Sequence, residues 1–179
     1  IQGPGLFSPM GGLDVITRGV VIGSTRKGFF IQDPEGDLSD AASCGLFVFE
    51  RGDKPPIGSM VEVSGKVIDF LAEEEARPTT QLEAQFIRLL LKHGPKIQPV
   101  WLTSENILVS SDKLAVFLNS LESMLVGLAA GGTFTAPSNP FGDYVVLPVD
   151  PPLTRTQQGG VLIDPNFPER WLPGFRVTN

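Results

Sequence analysis

A single cysteine and a single histidine occur among the 179 residues. Cys44 therefore has no internal disulfide partner. It stands just ahead of an apolar run, where a buried, inert thiol is expected. His93 lies between Lys92 and Gly94 with no Cys, His or Asp close by in sequence, so it reads as a surface-turn residue rather than a metal ligand or a catalytic base. Ser8, Ser64 and Ser104 likewise have no base at hand, and there is no Gly-x-Ser-x-Gly elbow. Neither a phosphate loop nor a dinucleotide fingerprint is present. No apolar run approaches the ~18 to 20 residues a membrane span needs, and no membrane partner is expected. The opening Ile1-Gln2-Gly3 lacks the basic start and apolar segment of a signal peptide. Beginning without Met and ending abruptly at Asn179, the sequence reads as a piece of something larger. Basic residues are also few. Fourteen Lys and Arg against 20 Asp and Glu give a net charge of −6, which argues against strong phosphate-driven affinity for duplex DNA while leaving room for a local basic groove.

Turn formers, by contrast, are abundant. The 20 glycines and 16 prolines favour short strands and many turns over a helical bundle, and 41% apolar content is enough for a core. Phe29 to Gln32, Gly45 to Glu50 and Met60 to Phe70 are Phe-, Val- and Ile-rich runs bounded by Gly, Pro or Asp, as strands are. The third alternates strictly, with Val61, Val63, Gly65, Val67 and Asp69 on one parity, apolar until the strand nears its end. Gly65 suits a sharp bend at a barrel corner, and Gly19 does the same in Asp14 to Ile22. Two long strands with central glycines flanking a hairpin suit the first and fourth strands of a five-stranded Greek-key barrel, the OB-fold. The expected fold is thus all-β: an extended leader over residues 1–12, an OB-fold barrel over 13–110, and a β-rich C-terminal extension over 111–179, packed on the barrel and containing one short helix.

Gln81 to His93 carries a mixed signal. Leu82, Phe86, Leu89 and Leu90 fit one helical face, whereas a strand requires its apolar parity to change midway. Its place after a fourth barrel strand favours a strand. Further on, Val100 to Val109 reads as a strand and Ser111 to Asn119 as a helix, with Ser111 as candidate cap and Leu114, Phe117, Leu118 and Leu121 as its apolar side. Met124 to Leu128, Thr133 to Ala136, Tyr144 to Val149, Gly160 to Asp164 and Phe175 to Val177 resume strand character.

The hairpin of the second and third strands usually carries the ligand face of such a barrel. If Phe29, Ile31, Leu46 and Val48 face the core, Phe30, Phe47 and Phe49 form an outward aromatic platform, with Gln32 on the parity of Phe30. Arg18, Arg26, Lys27, Arg51, Lys54 and Lys66 are candidates to edge it. Two readings stand: a stacking surface for single-stranded nucleic acid, or rings covered by the leader or the extension to make a second core. Asp33, Glu35, Asp37, Ser39 and Asp40 place oxygen ligands at alternate positions, as calcium loops do. The EF-hand template fails, because Gly36 falls at the fourth place and Cys44 stands where the bidentate Glu belongs. A solvated acidic turn is the plainer reading, as it is for Glu73 to Glu75.

The leader IQGPGLFSPMGG, then VITRGVV, GFFIQDPEGD, GLFVFERGD, VEVSGKVIDF and Thr79 to Glu83 (TTQLE) resemble the OB-fold domain that precedes the catalytic domain in secreted bacterial nucleases of the endonuclease/exonuclease/phosphatase superfamily. Glu122 to Leu128 (ESMLVGL) resembles that family's Glu-Gly-Met-Leu-Val strand, with Ser123 where Gly is usual. Leu162 to Arg170 (LIDPNFPER) resembles its Asp-Pro-Asn…Pro-Glu-Arg segment. The loop after Asp37 is shorter than the family's, and Lys92 to Lys96 does not align. The resemblance implies an extracellular or periplasmic, non-catalytic accessory domain that binds or positions nucleic acid for a downstream nuclease domain. A purely structural domain is the alternative. The family's catalysis uses paired histidines and a divalent metal, and this chain lacks that pair and the Gly-Asp-Phe-Asn and Ser-Asp-His motifs. The metal is thus implied only for the catalytic domain; no cofactor is expected here beyond calcium at the acidic loop.

Overall fold

The computed structural model describes residues 1–36, 41–71, 78–103, 111–134, 144–148 and 175–177, with Pro137 and Gln157. The described residues are mostly β. They contain strands β1 (Asp14–Thr25), β2 (Gly28–Gln32), β3 (Gly45–Phe49), β4 (Met60–Phe70), β5 (Thr79–Leu91), β6 (Val100–Leu102), β7 (Val126–Leu128), β8 (Gly132–Phe134), β9 (Tyr144–Pro148) and β10 (Phe175–Val177), and the helix α1 (Ser111–Ser120). None of the helices among them is long and apolar enough to cross a membrane. Strands expected over 160–164 and the ends of those expected over 100–109, 133–136 and 144–149 lie outside the described residues.

The chain folds as two compact units. One comprises Ile1–Val100 with Val116–Leu125, and the other Trp101–Ala115 with Val126–Asn179. In the first unit, five strands form a closed barrel in the order β1-β2-β3-β5-β4. All its pairings are antiparallel except β3 with β5, which run parallel from Phe47–Gln81 to Phe49–Glu83. Val21, Phe29, Ile31, Leu46, Val48, Val61, Val63, Val67 and Leu82 fill the interior. Along β4 the alternation of Val61, Val63 and Val67 with half-buried or exposed neighbours follows the period-2 geometry of a strand, and burying each large side chain contributes roughly 1.5 to 3 kcal/mol. Phe29, Ile31, Leu46 and Val48 thus face inward as their parity implied.

The two central glycines sit where backbone crowding requires them. A Cβ on Gly19, where β1 leaves β4 for β2, would stand 3.0 Å from Ile31 Cβ and 3.1 Å from the Gln32 carbonyl oxygen. One on Gly65 would run into the Glu83 carbonyl. There β5 carries an extra residue, since Gly65 pairs with Ala84 but Ser64 pairs with Phe86. That bulge at Gln85, followed by a second at Leu90 where Val61 pairs with Leu89 and Met60 with Leu91, is the physical reason for the mixed signal of Gln81 to His93: an inserted residue flips the side chains that follow it to the other face.

In the second unit, β8, β9 and β10 form an antiparallel sheet in the order β10-β9-β8. β6 lies beside β7, where Gly127 admits the Trp101 ring: a Cβ there would sit 2.6 Å from Trp101 Cζ3. Gly131, at φ +81°, supplies the left-handed residue in the turn between β7 and β8.

Candidate functional site

On the outside of the barrel, Phe30 of β2 lies directly across from Phe47 of β3. Their ring centroids are 5.0 Å apart at an interplanar angle of 56°, a tilted geometry that aromatic quadrupoles favour. Phe49 follows on β3, and the Arg51 guanidinium stands over its ring, 5.5 Å from the centroid, within cation–π range. Gly28 opposite Phe49 leaves the space that Phe47 enters, because a Cβ there would stand 2.8 Å from Phe47 Cζ. All three phenylalanines are half-buried.

The cations divide into two groups. Arg26 and Lys27 occupy the exposed β1–β2 turn, and the loop after β3 folds against it: Glu50 N donates to the Lys27 carbonyl at 3.1 Å and Lys54 Nζ to the Arg26 carbonyl at 3.2 Å. Arg26, Lys27, Arg51 and Lys54 thus gather at one end of the hairpin beside Phe49, accompanied by Glu50 and Asp53. Arg18 and Lys66 lie elsewhere. Arg18 is ion-paired with Glu62 on β4, which also holds Arg88 of β5, and these guanidinium groups draw the Glu62 carboxyl below its ordinary value, the Arg18 hydrogen bond foremost. Lys66 lies two strands from Phe49, with Glu83 between them. Gln32 is only 4% exposed and spends Oε1 on accepting from Leu125 N at 2.9 Å. It is a structural residue rather than a surface one.

In the acidic loop, Asp33 Oδ1 accepts from Glu35 N at 2.9 Å and the Asp33 carbonyl from Gly36 N at 3.4 Å, the side chain-to-backbone pattern of an Asx turn. Asp37, Ser39 and Asp40 lie outside the described residues, as do Glu73 to Glu75 and Ser104. No cluster of three or more His, Cys, Asp or Glu suited to a metal occurs among the described residues. Cys44 is half-buried against Gly36 rather than fully buried, and His93 is exposed just after β5.

Sequence reasoning missed a polar clasp that binds the leader and Val116–Leu125 to the barrel. Gln2, 8% exposed, donates through Nε2 to the Gly45 carbonyl at 2.8 Å. Ser8 N donates to both carboxylate oxygens of Asp69 at 3.1 Å, and Ser8 Oγ donates to the Ile1 carbonyl at 2.7 Å. Asp69 also accepts from Thr80 Oγ1 at 2.8 Å, while Thr80 N donates to Glu122 Oε1 at 2.9 Å. Ser43 Oγ donates to the Glu122 carbonyl and accepts from Gly45 N at 2.9 Å. Asn119 Nδ2 reaches the Gly5 carbonyl at 3.2 Å, which joins the two clasped segments. Each such bond contributes about 1 kcal/mol net, and removing one partner from a buried pair costs about 1 to 3. Its one sequence signal was Asp69, a carboxylate on the core parity of β4.

The clasp carries two internal strains. Burial raises the Glu122 carboxyl above its ordinary value of 4.5; the Asp69 charge adds to the rise and the Thr80 N–H opposes it. Ser123, at φ +61°, occupies the left-handed region that favours glycine, and a Cβ on Gly45 would collide with its carbonyl.

Two outcomes follow for stability measured by urea denaturation. Ser123→Gly raises stability by up to about 1 kcal/mol, the left-handed cost less the entropy of an added glycine; a loss would contradict the strain. A carboxyl whose folded-state pKa is raised contributes stability that is complete below its unfolded value and is lost as pH rises through the folded one. Stability of the wild type relative to Glu122→Gln therefore declines as pH rises from 4.5 through that raised value; parallel pH profiles would contradict it. No protein-family model, curated protein or solved structure was found to match the chain.

Proposed function

We propose that the barrel is an OB-fold and that the chain is a non-catalytic accessory domain of a secreted nuclease, binding single-stranded nucleic acid on the Phe30–Phe47–Phe49 platform for a catalytic domain elsewhere. The strand order β1-β2-β3-β5-β4 with a parallel β3–β5 pair supports the fold reading, since it is the closure of a five-stranded Greek-key barrel. The observation that carries the binding reading is the convergence of the stacked Phe30–Phe47 pair and the Arg51-capped Phe49 with the basic end formed by Arg26, Lys27 and Lys54. Bases have π-faces and phosphates need cations, and such a surface offers both. The nuclease context and the extracellular or periplasmic location rest on the resemblance in the leader, the strands and the Glu122 motif.

A net charge of −6 and the acidic Glu83 next to Phe49 in register keep the expected affinity modest. Stacking supplies roughly 1 to 3 kcal/mol per base, and four phosphate contacts would give a log–log salt slope of about −3. The second reading, a scaffold without nucleic-acid contact, is favoured by the half-burial of the three rings and by the commitment of Gln32 to Leu125.

Titration of a labelled single-stranded oligonucleotide by fluorescence anisotropy separates the two. Binding at low salt is expected, weakened at moderate salt and reduced about tenfold by Phe30→Ala or Phe47→Ala. Absence of binding at low salt leaves the scaffold reading.

A further inference from the structure

The outer face of β1, β4 and β5, which the nucleic-acid reading does not use, carries three adjacent cross-strand rows. Asp14, Lys66 and Glu83 form the first, a negative–positive–negative series. Ile16, Ser64 and Phe86 form the second, with Ile16 72% and Phe86 64% exposed. Arg18, Glu62 and Arg88 form the third, positive–negative–positive. The two charged rows are opposite in sign at every strand.

The geometry points to a second copy of this chain as the partner of that face, in a two-fold symmetric dimer whose axis runs along the Ile16–Ser64–Phe86 row. A two-fold lying in the interface along that row sets each strand against its own copy and each first row against the partner's third. Asp14 then faces Arg18 of the second copy, Lys66 faces Glu62, and Glu83 faces Arg88. The apolar row meets itself at the centre, where desolvation by Ile16 and Phe86 supplies the association energy.

The other in-plane two-fold, along the strands, would set Asp14 against Glu83 and Arg18 against Arg88, all like charges, which is strongly disfavoured. The charge pattern therefore selects one docking mode as well as one partner. Nucleic acid fits the face poorly, because Asp14 and Glu83 flank the apolar row on one side. The third row is already ordered in the single chain, as is Asp14 of the first. Glu62 holds Arg18 at 2.8 Å and Arg88 at 2.6 Å, and Gln85 Nε2 donates to Asp14 Oδ1 at 2.9 Å, so the third row and one end of the first need little further ordering on association. A barrel wall is convex, so the contact is small and the dimer weak and salt-sensitive.

Sedimentation equilibrium of the 179-residue chain over a concentration series tests this. The expected result is a monomer–dimer equilibrium that weakens with added salt and that Phe86→Glu weakens roughly tenfold or more. Reversing the third row (Arg18→Glu, Glu62→Arg, Arg88→Glu) or the first (Asp14→Lys, Lys66→Glu, Glu83→Lys) makes facing rows alike, so each variant alone is monomeric. Equal amounts of the two restore both sets of opposite charges and form a heterodimer. A wild type that stays monomeric at every concentration, a dimer indifferent to Phe86→Glu, or a variant mixture that remains monomeric overturns the proposal.

Discussion

The barrel closes through its shortest seam, the parallel pairing of β3 with β5, and the clasp lies across that seam. β5 pairs with β4 along its whole length, from Phe70–Thr79 to Met60–Leu91, but with β3 only from Phe47–Gln81 to Phe49–Glu83. Where β3 and β5 part company, Glu122 takes over: its carboxylate accepts from Thr80 on β5, and its carbonyl accepts from Ser43, whose hydroxyl in turn accepts from Gly45 on β3. Leu125 ties the same segment to Gln32 on β2. The leader closes the circuit through Gln2 on Gly45 and Ser8 on Asp69. Residues far apart in sequence thereby supply the hydrogen bonds that the short ladder lacks, and the hairpin bearing the aromatic platform is held at its Gln32–Gly45 end.

This arrangement gives a structural meaning to the sequence motifs behind the nuclease resemblance. Gln2 and Ser8 of the leader, Gln32 after the double phenylalanine, Asp69 at the end of β4, Thr80 in the threonine pair and Glu122 before Met124 belong to the clasp, together with Ser43 and Asn119 from outside those motifs. Their chemistry is that of satisfied buried or half-buried groups: Asp69 accepts from Ser8 and Thr80, and Glu122 is partly desolvated at a backbone donor. The departure at Ser123 falls at the one described non-glycine residue with positive φ, which is why glycine would suit that place. These polar members of the motifs mark how the domain is assembled, whereas Phe30, Phe47, Phe49 and Arg51, in the same strand motifs, supply the outer aromatic surface.

Much of the barrel was legible because strand parity is a local property. The alternation through Val61, Val63 and Val67 follows from residues close together in the chain, and Gly19 and Gly65 stand out as glycines within such runs, although what crowds them, Ile31 and Glu83, lies on the neighbouring strands. β5 was ambiguous for a physical reason, the bulge at Gln85, which breaks the parity on which strand recognition depends. The clasp was not legible, since its bonds join residues such as Gln32 and Leu125 whose pairing only the folded register reveals. Register also splits the cations. Arg18 and Lys66 share the charge of Arg26, Lys27, Arg51 and Lys54, but β1 and β4 place them on another part of the barrel wall, among carboxylates.

Native-state hydrogen exchange of Asp69→Ala tests the clasp most directly, because Asp69 touches both the leader and the Thr80 link to Glu122. The account predicts that protection is lost together at the Ser8, Thr80 and Leu125 amides while Val21 and Val67 stay protected. Loss confined to Ser8, with Leu125 still protected, would contradict it.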